Sequence, residues 1–372
     1  MRIFFKATVL VAFFISIPTH LTSGSARSQD YFQSLWIVRT SMTSQEKIQK
    51  AMMFAKENHF NHVFVQVRGR DDAFYKSDIV SRPESISNTS FDPLDFAIRE
   101  GHSLGLEVHA WMNVYILGSA NSVSTKSNST IKQHPEWVDV WRNGDSQREL
   151  QEENKNLLFL SPAIPEVENY LLDVVEEVVT KYDLDGLHLD YVRYGDIDYG
   201  YNPVALEIFQ NRTHSYSTKV TGRKFTEFRS NSITNFVRRC NRMVLRRNPD
   251  CLVSVAVKPN LPLAKTRYFQ AWDQWLIEGL VDFVVMMNYA SGLDDFQRNI
   301  NLVMNEIPEK YLSGIIMGIA LYNQDEDQIM EKIERCNQLN GISGISMFSY
   351  NVIDENPGKF ERMLSKISGV WD

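Results

Sequence analysis

Cysteine is scarce in this sequence, with 3 in 372 residues, and positive charge is not in excess. So few cysteines exclude a disulfide-stapled scaffold and a cysteine-rich zinc site. Lysine and arginine number 39 against 46 aspartate and glutamate, so 39 − 46 gives a net charge of −7. Because nucleic-acid-binding proteins present basic surfaces, we expect no nucleic-acid partner.

Several short functional motifs are missing as well. The sequence has no G-x-G-x-x-G after its first predicted strand, no phosphate-binding loop and no G-x-S-x-G nucleophile elbow. Their absence argues against a serine hydrolase and leaves a doubly wound open sheet as the second choice of fold. What is present is 43% hydrophobic and 12% aromatic residues, the composition of a folded, enzyme-sized protein.

The first 26 residues have the three-part order of a secretory signal peptide. A positively charged start precedes an uncharged apolar run at residues 7–17, and small residues follow at 23–26. The run is too short for the roughly 20 residues that span a bilayer. We predict a cleavable signal over residues 1–26 and a mature domain over 27–372. The protein is then secreted or periplasmic, without stable membrane insertion; an uncleaved anchor or a buried helix is the alternative.

The cysteines of an exported protein lie in an oxidising compartment. Cys240 and Cys251 are close in sequence and could pair, which would leave Cys336 alone. Three buried free thiols are the alternative, because free cysteine behaves as a small apolar residue.

The rest of the chain alternates short apolar runs with amphipathic or polar stretches. Residues 165–182 place their apolar side chains on one helix face, and Asp92 followed by Pro93 is typical of a helix start. Eight β-then-α units predict a single (β/α)8 TIM-type barrel, in which helices cover a parallel barrel. The predicted strands lie at residues 35–40, 62–68, 107–113, 186–191, 252–257, 282–288, 314–320 and 344–348.

Two of the predicted connections are long. They run over residues 115–161, after the third strand, and residues 191–226, after the fourth. Barrel enzymes keep their sites at the carboxyl ends of the strands, so we predict that these loops form cleft walls. Decorative insertion is the alternative.

Polar side chains collect toward the ends of the predicted strands. A buried polar group costs a few kcal/mol unless it is paired, so we predict that these side chains converge above the barrel and bind substrate. A satisfied core network is the alternative. The predicted substrate-binding residues are Gln66, Arg68, His109, Trp111, Asn113, His188, Arg193, Tyr194, Asn288 and Tyr350. The aromatic candidates for stacking on sugars are Trp111, Trp137, Trp141, Tyr194, Tyr199, Tyr201 and Tyr322.

Asp190, near the end of the fourth predicted strand, is the best catalytic candidate. Arg193 or His188 nearby would help to keep its carboxylate ionised. Glycoside hydrolysis uses two carboxyl groups, and Asp72, after the second strand, is the candidate acid. We expect no metal and no other cofactor; a divalent ion held by His109, His188 and Asp190 is the weaker alternative.

Four segments of the sequence resemble the glycosyl-hydrolase-like family 10, a barrel family related to glycoside hydrolases. The similar segments are V-Q-V-R-G-R-D-D-A-F-Y at 65–75, H-A-W-M-N at 109–113, H-P-E-W at 134–137 and D-G-L-H-L-D-Y-V-R-Y at 185–194. The resemblance covers roughly residues 33–365. It implies a (β/α)8 fold and carbohydrate as the ligand, and some bacterial members act on peptidoglycan glycan strands.

The same resemblance assigns roles to two residues. Asp72 falls on the family's Asp before Ala-aromatic-Tyr, and Asp190 falls on the Asp of the fourth-strand motif. Tyr191 stands where many members carry a second Asp, and Val192 stands where chitinase-like barrels carry a glutamate. The expected function is a secreted glycoside hydrolase that acts on a polysaccharide or glycan strand by carboxylate acid/base chemistry. A non-catalytic carbohydrate-binding barrel and a metal-dependent hydrolase are the alternatives.

Overall fold

Eight parallel strands close into a barrel because the first strand, β1, pairs with both the second and the last. The barrel strands follow one another around the ring in chain order, which confirms the predicted (β/α)8 architecture. Two further strands, β4 and β5, pair antiparallel outside the ring. The strands are β1 (Phe32–Ile37), β2 (His62–Arg68), β3 (Glu107–Asn113), β4 (Ile116–Ser119), β5 (Leu157–Phe159), β6 (Gly186–Asp190), β7 (Leu252–Val257), β8 (Phe283–Met287), β9 (Ile315–Ala320) and β10 (Gly344–Phe348).

The computed structural model describes residues 31–119, 129–142, 157–214 and 220–370. The predicted signal over residues 1–26 lies outside this range. In the described segments, no helix combines the length and the apolar character that crossing a membrane requires.

Helices connect the strands and cover the barrel. Asp92 caps the second helix by accepting from the Asp95 amide at 3.3 Å, and Asp325 forms a capping box with Gln328. The helices are α1 (Gln45–Glu57), α2 (Pro93–Ser103), α3 (Thr130–Gln133), α4 (Pro165–Lys181), α5 (Pro203–Thr213), α6 (Arg223–Arg247), α7 (Leu261–Arg267), α8 (Trp272–Ile277), α9 (Leu293–Glu306), α10 (Glu326–Asn337), α11 (Tyr350–Asp354) and α12 (Glu361–Val370).

The first strand begins earlier than the apolar pattern indicates. Its polar start is paired, because Ser34 donates a hydrogen bond to Ser346 across the strand pair at 2.6 Å, and Phe32 lies opposite Gly344. The hydrogen-bonding requirement of a polar side chain inside a barrel can therefore be met by a side chain on the neighbouring strand.

A layer of rings fills the barrel interior near the amino ends of the strands. The ring of Phe32 stacks on His62 with centroids 3.7 Å apart, and Phe64 and Phe283 pack beside them. His109 joins this layer opposite Gly186, where a Cβ atom would overlap the imidazole. We call these five rings the lower layer; they close the barrel beneath the site.

The three cysteines, Cys240, Cys251 and Cys336, are free and buried, so of the two alternatives left open by the sequence the structure has three free thiols. Burial raises the pKa of each thiol to about 12, which keeps all three protonated at neutral pH. They act as small apolar core residues.

Candidate active site

A cleft of about 590 Å³ opens at the carboxyl ends of the barrel strands. Trp36, Trp111 and Phe348 line it on the barrel side, where the edge of Trp36 meets Trp111 with ring centroids 4.6 Å apart. This is the end of a parallel barrel at which enzymes of this architecture carry their sites.

Asp190, the last residue of β6, lies in this cleft with 6% of its surface exposed. Burial raises the pKa of its carboxyl group above the ordinary value, and the Arg193 guanidinium and then the Tyr191 amide, Lys258 and Trp111 oppose this shift. The Tyr191 amide donates to Asp190 Oδ1 at 2.6 Å. A buried carboxylate held between these opposing effects is suited to catalysis.

Lys258, the first residue after β7, supplies a positive charge to the same cleft. Its Nζ lies 4.9 Å from the centre of the Tyr268 ring, and the guanidinium carbon of Arg193 lies 5.3 Å from the same centre. Repulsion from Arg193, then burial, lowers the pKa of Lys258 to about 7. This lysine therefore changes charge near neutral pH.

Tyr191 is placed in the cleft by an uncommon backbone conformation. Its φ of 54° lies in the left-handed region, which costs energy for a residue with a bulky side chain and occurs most often at functional sites. The guanidinium carbon of Arg193 lies 4.6 Å from the centre of its ring. Burial raises the pKa of the Tyr191 phenol, so the group is neutral at physiological pH.

Aromatic rings also line the cleft at the ends of the last three strands. Tyr289 and Tyr322 have ring centroids 6.3 Å apart, and Phe348 lies 5.4 Å from Tyr289. Tyr322 is 55% exposed, as a ring that stacks on a ligand must be. Tyr322 and Trp111 are thus the predicted stacking candidates that line the cleft.

Three predicted binding residues also line the cleft: Gln66, Trp111 and Asn113. Their side chains form hydrogen bonds with each other or with neighbouring backbone groups. The Trp111 indole donates to Asn113 Oδ1 at 2.9 Å, and Asn113 Nδ2 donates to the Gly69 carbonyl at 2.9 Å. Gln66 Oε1 accepts from the Arg39 amide at 3.1 Å. These hydrogen bonds fix the ends of β2 and β3 relative to the neighbouring loops.

Three other predicted binding residues, Arg68, His109 and His188, lie inside the barrel beneath the cleft. Arg68 donates to the carbonyls of Asn113 and Val114, so it holds the end of β3. His188 is bonded to Ser254 at 2.8 Å, and burial lowers its pKa to about 3. A neutral His188 cannot keep Asp190 ionised, and Arg193 provides that effect.

Tyr194, Asn288 and Tyr350 are buried against other parts of the fold and do not line the described cleft. Tyr194 packs edge-on against Phe269 with centroids 5.4 Å apart, and Asn288 donates to the Phe296 carbonyl at 3.0 Å. Tyr350 donates to Asp354 Oδ1 at 3.3 Å. Asn288 thus bonds to α9, Tyr350 bonds within α11, and Tyr194 packs through its ring.

Asp72 occupies the turn that follows β2. Its Oδ1 accepts hydrogen bonds from the amides of Gly69, at 3.0 Å, and Arg70, at 2.8 Å. Gly69 in turn leaves room for the Arg39 side chain, because a Cβ atom there would overlap the guanidinium. Asp72 is not part of the cleft wall that the described residues form, so its position gives no support to the predicted acid role.

Within the described segments, the residues with metal-ligand spacing are His62, Glu107 and His109, whose ligand atoms lie within 4.8 Å of one another. They belong to the amino ends of β2 and β3, at the level of the lower layer. The ligand atoms of His109, His188 and Asp190, the set considered as an alternative, do not form such a group in the described part of the chain.

Several cleft residues were not predicted from the sequence, among them Arg39, Lys258, Tyr289 and Glu355. Lys258 carried a usable signal, since it is a lone charge directly after the apolar run of β7. Arg39, Tyr289 and Glu355 follow strands by one or more residues, where no regular period marks the direction of a side chain.

A closed parallel barrel with a polar and aromatic cleft at its carboxyl end is the architecture of TIM-barrel glycosidases. The chain belongs to the glycosyl hydrolase-like 10 family, whose model matches residues 31–332.

The chain is similar to curated bacterial proteins along most of its length. It is 22% identical over an alignment of 402 residues to glycosyl hydrolase YngK of Bacillus subtilis (strain 168), covering 95% of this chain and 74% of that one. It is 28% identical over 333 residues to glycosyl hydrolase DigH of Escherichia coli (strain K12), covering 80% and 71%. Both matches agree with a glycosidase-like function.

Solved structures share the fold at low sequence identity. Alpha-L-fucosidase isoenzyme 2 from Paenibacillus thiaminolyticus superimposes with a TM-score of 0.61 at 14% identity, over 91% of this chain and 48% of that one. A GH20 exo beta-N-acetylglucosaminidase from Vibrio harveyi gives 0.56 at 10% identity, over 92% and 54%. The chain therefore spans about half the length of these enzymes, and the likeness concerns the barrel fold.

Proposed function

We propose that the protein is a secreted glycoside hydrolase that acts on a polysaccharide or glycan strand, such as a cell-wall glycan. The observation that carries the proposal is the buried carboxylate of Asp190 at the end of β6, inside the cleft and between two cations. The family and the glycosidase fold support the same chemistry.

Asp190 supplies the anionic group of this mechanism. An oxocarbenium-like transition state gains positive charge at the sugar ring, and a carboxylate fixed beside it stabilises that charge. Arg193 and Lys258 lower the pKa of Asp190 against the effect of burial and so favour its ionised form.

Glu355 is the candidate proton donor. It is the second carboxyl group on the part of the cleft wall that the structure describes, and it follows β10. Glycosidases need one carboxyl group to protonate the leaving oxygen while the other stays ionised. Tyr289, Tyr322 and Phe348 offer ring faces against which sugars pack.

A screen of glycan hydrolysis by mass spectrometry tests the proposal. Wild type is expected to release fragments from at least one glycan, and Asp190→Asn to release none while still binding it. Asp185→Asn is the matched control, because Asp185 lies at the opposite end of the same strand and accepts from the Val108 amide at 2.7 Å. Binding without hydrolysis by wild type would favour a non-catalytic carbohydrate-binding barrel.

Export is part of the proposal and has its own test. The order of charged, apolar and small residues at positions 1–26 supports a cleavable signal. Mass spectrometry of the secreted protein is expected to show an N-terminus near residue 27. An intact Met1 in the secreted protein would contradict cleavage.

A further inference from the structure

We propose that the glycan bound in this cleft carries an anionic group, a carboxylate or a sulfate ester, which is held by Arg39, Arg193 and Lys258. The inference rests on the proposed function, because it concerns the substrate of the same cleft. It follows from the distribution of charge around Asp190.

The cleft is cationic in a chain whose net charge is −7. Its described wall carries four basic side chains, Arg39, Arg70, Arg193 and Lys258, and two carboxylates, Asp190 and Glu355, so 4 − 2 leaves two positive charges in excess below about pH 7, where Lys258 is protonated. Like charges gathered in a partly buried cleft repel one another. An anionic ligand relieves that repulsion and is drawn to such a cleft.

Arg193 is the most deeply placed of these cations, with 5% of its surface exposed. Its guanidinium carbon lies 4.6 Å from the ring centre of Tyr191 and 5.3 Å from that of Tyr268, and its Nη1 donates to the Tyr194 carbonyl at 3.3 Å. Its buried Nε has no hydrogen-bond acceptor among the described residues. A buried donor left unpaired is costly, and an anionic oxygen of a ligand would satisfy it.

The neighbouring acidic groups are already engaged. Asp196 pairs with Arg267 at 2.5 Å, so it offsets that arginine first. Tyr191 stands among the cations with a neutral phenol, since burial raises its pKa. Among the described residues of the site, Asp190 is the carboxylate whose charge interacts with both Arg193 and Lys258.

Arg39 adds a second point of attachment in the cleft, and its charge also reaches the Tyr191 phenol. No carboxylate of the described residues forms an ion pair with its guanidinium; Asp72, held in the turn behind it, acts on it only through its charge. Arginine presents paired N–H groups that match the two oxygens of a carboxylate or sulfate.

The cations and one group of aromatic rings in the cleft follow different strands, and the other rings, Trp36, Trp111 and Tyr191, lie among the strands that carry the cations. The four cations follow β1, β2, β6 and β7, whereas Tyr289, Tyr322 and Phe348 belong to the segments from β8 to β10. A sugar can therefore pack its ring face on the rings of this second group while its anionic substituent points to the cations.

Matched glycan pairs test the inference by calorimetry with the full chain at low temperature. One pair is an oligogalacturonate and its methyl ester; the other is a κ-carrageenan oligosaccharide and its desulfated form. At least one anionic member is expected to bind about tenfold or more tightly than its neutral partner, the range of a charge-assisted hydrogen bond. The pair that shows the preference tells carboxylate from sulfate.

Single substitutions test which side chains produce the preference for the anionic glycan. Arg39→Gln and, separately, Lys258→Gln are expected to reduce the anionic-to-neutral affinity ratio severalfold, whereas Arg99→Gln, an exposed arginine on α2, leaves it unchanged. In wild type the ratio is expected to fall as the pH rises through about 7, where Lys258 loses its proton.

Equal affinity within both pairs, or a ratio that survives both cleft variants, would overturn the inference alone, since hydrolysis of neutral glycans would still support the proposed function. Failure to bind or cleave any glycan would overturn the inference and the proposed function together.

Discussion

Asp139 and Gly200 are joined by a hydrogen bond of 3.2 Å, from the Gly200 amide to Asp139 Oδ1. This bond ties the connection after β3 to the connection after β6, the two segments that flank the strand bearing Asp190. Arg229 lies nearby and donates to the carbonyls of Ile197 and Tyr199 at 2.7 and 2.8 Å. Burial raises the pKa of Asp139 to about 7, so a single buried carboxyl group at this junction changes charge near neutral pH.

Stability is predicted to decrease as the pH rises through about 4 to 7. The folded-state pKa of Asp139 lies above its unfolded value of 3.8, so the folded chain holds the proton longer. Its contribution is fully present below pH 4 and is lost once the pH passes the folded-state value. The loss is on the order of a few kcal/mol, measured as the free energy of unfolding in urea at several pH values. Asp139→Asn is expected to flatten this dependence, and an unchanged slope in that variant would contradict the assignment.

Asp190→Asn is predicted to remove turnover while the fold persists. The amide keeps the shape of the side chain but cannot carry a negative charge, so the transition state loses its stabilisation. The expected fall in kcat is about 10²- to 10⁴-fold, with little change in Tm. Melting and initial rates measured on one preparation separate this from a structural role, in which activity would fall only with the folded fraction.

Glu355→Gln is predicted to spare substrates with good leaving groups. Such substrates need little protonation of the departing oxygen, so the loss of a general acid affects them less than it affects poor leaving groups. A series of aryl glycosides of rising leaving-group pKa measures the slope. Asp72→Asn is the comparison; a steeper slope for that variant than for Glu355→Gln would return the acid role to Asp72.

Lys258→Met is predicted to move the acid limb of the kcat/KM profile to higher pH. The positive charge of Lys258 lowers the pKa of the Asp190 carboxyl group, so its removal lets that pKa rise. The alkaline side of the wild-type profile should also lose any inflection near 7 that belongs to the lysine. A variant profile that overlays the wild-type profile would show that Lys258 does not act on Asp190.

The barrel could be predicted from the sequence because its strands are short apolar runs and helices such as α4 carry a clear apolar stripe. Four predicted strands, at residues 62–68, 107–113, 252–257 and 344–348, match the observed bounds. The helix predicted at 165–182 is α4, one residue shorter. Local patterns of period two and 3.6 suffice for elements of this kind.

The height of a side chain along the barrel axis could not be predicted in the same way. Alternation shows that His109 and Trp111 face the same side of β3, but it does not show that the first belongs to the lower layer and the second to the cleft. That difference depends on how neighbouring strands are staggered, a property of the closed ring. Asp190 could be placed in the cleft from the sequence because it ends β6, and Arg193 follows it closely in the chain.

The lower layer makes the cleft a blind pocket in the part of the chain that the structure describes. Phe32, Phe64 and Phe283, with the imidazoles of His62 and His109, occupy the space through which a chain would otherwise thread. A long glycan bound as proposed must therefore lie across the mouth of the cleft, and both products of its hydrolysis must leave on the same side. Substitutions at the mouth are then expected to change which glycans bind. Substitutions in the lower layer are expected to change the thermal stability of the fold.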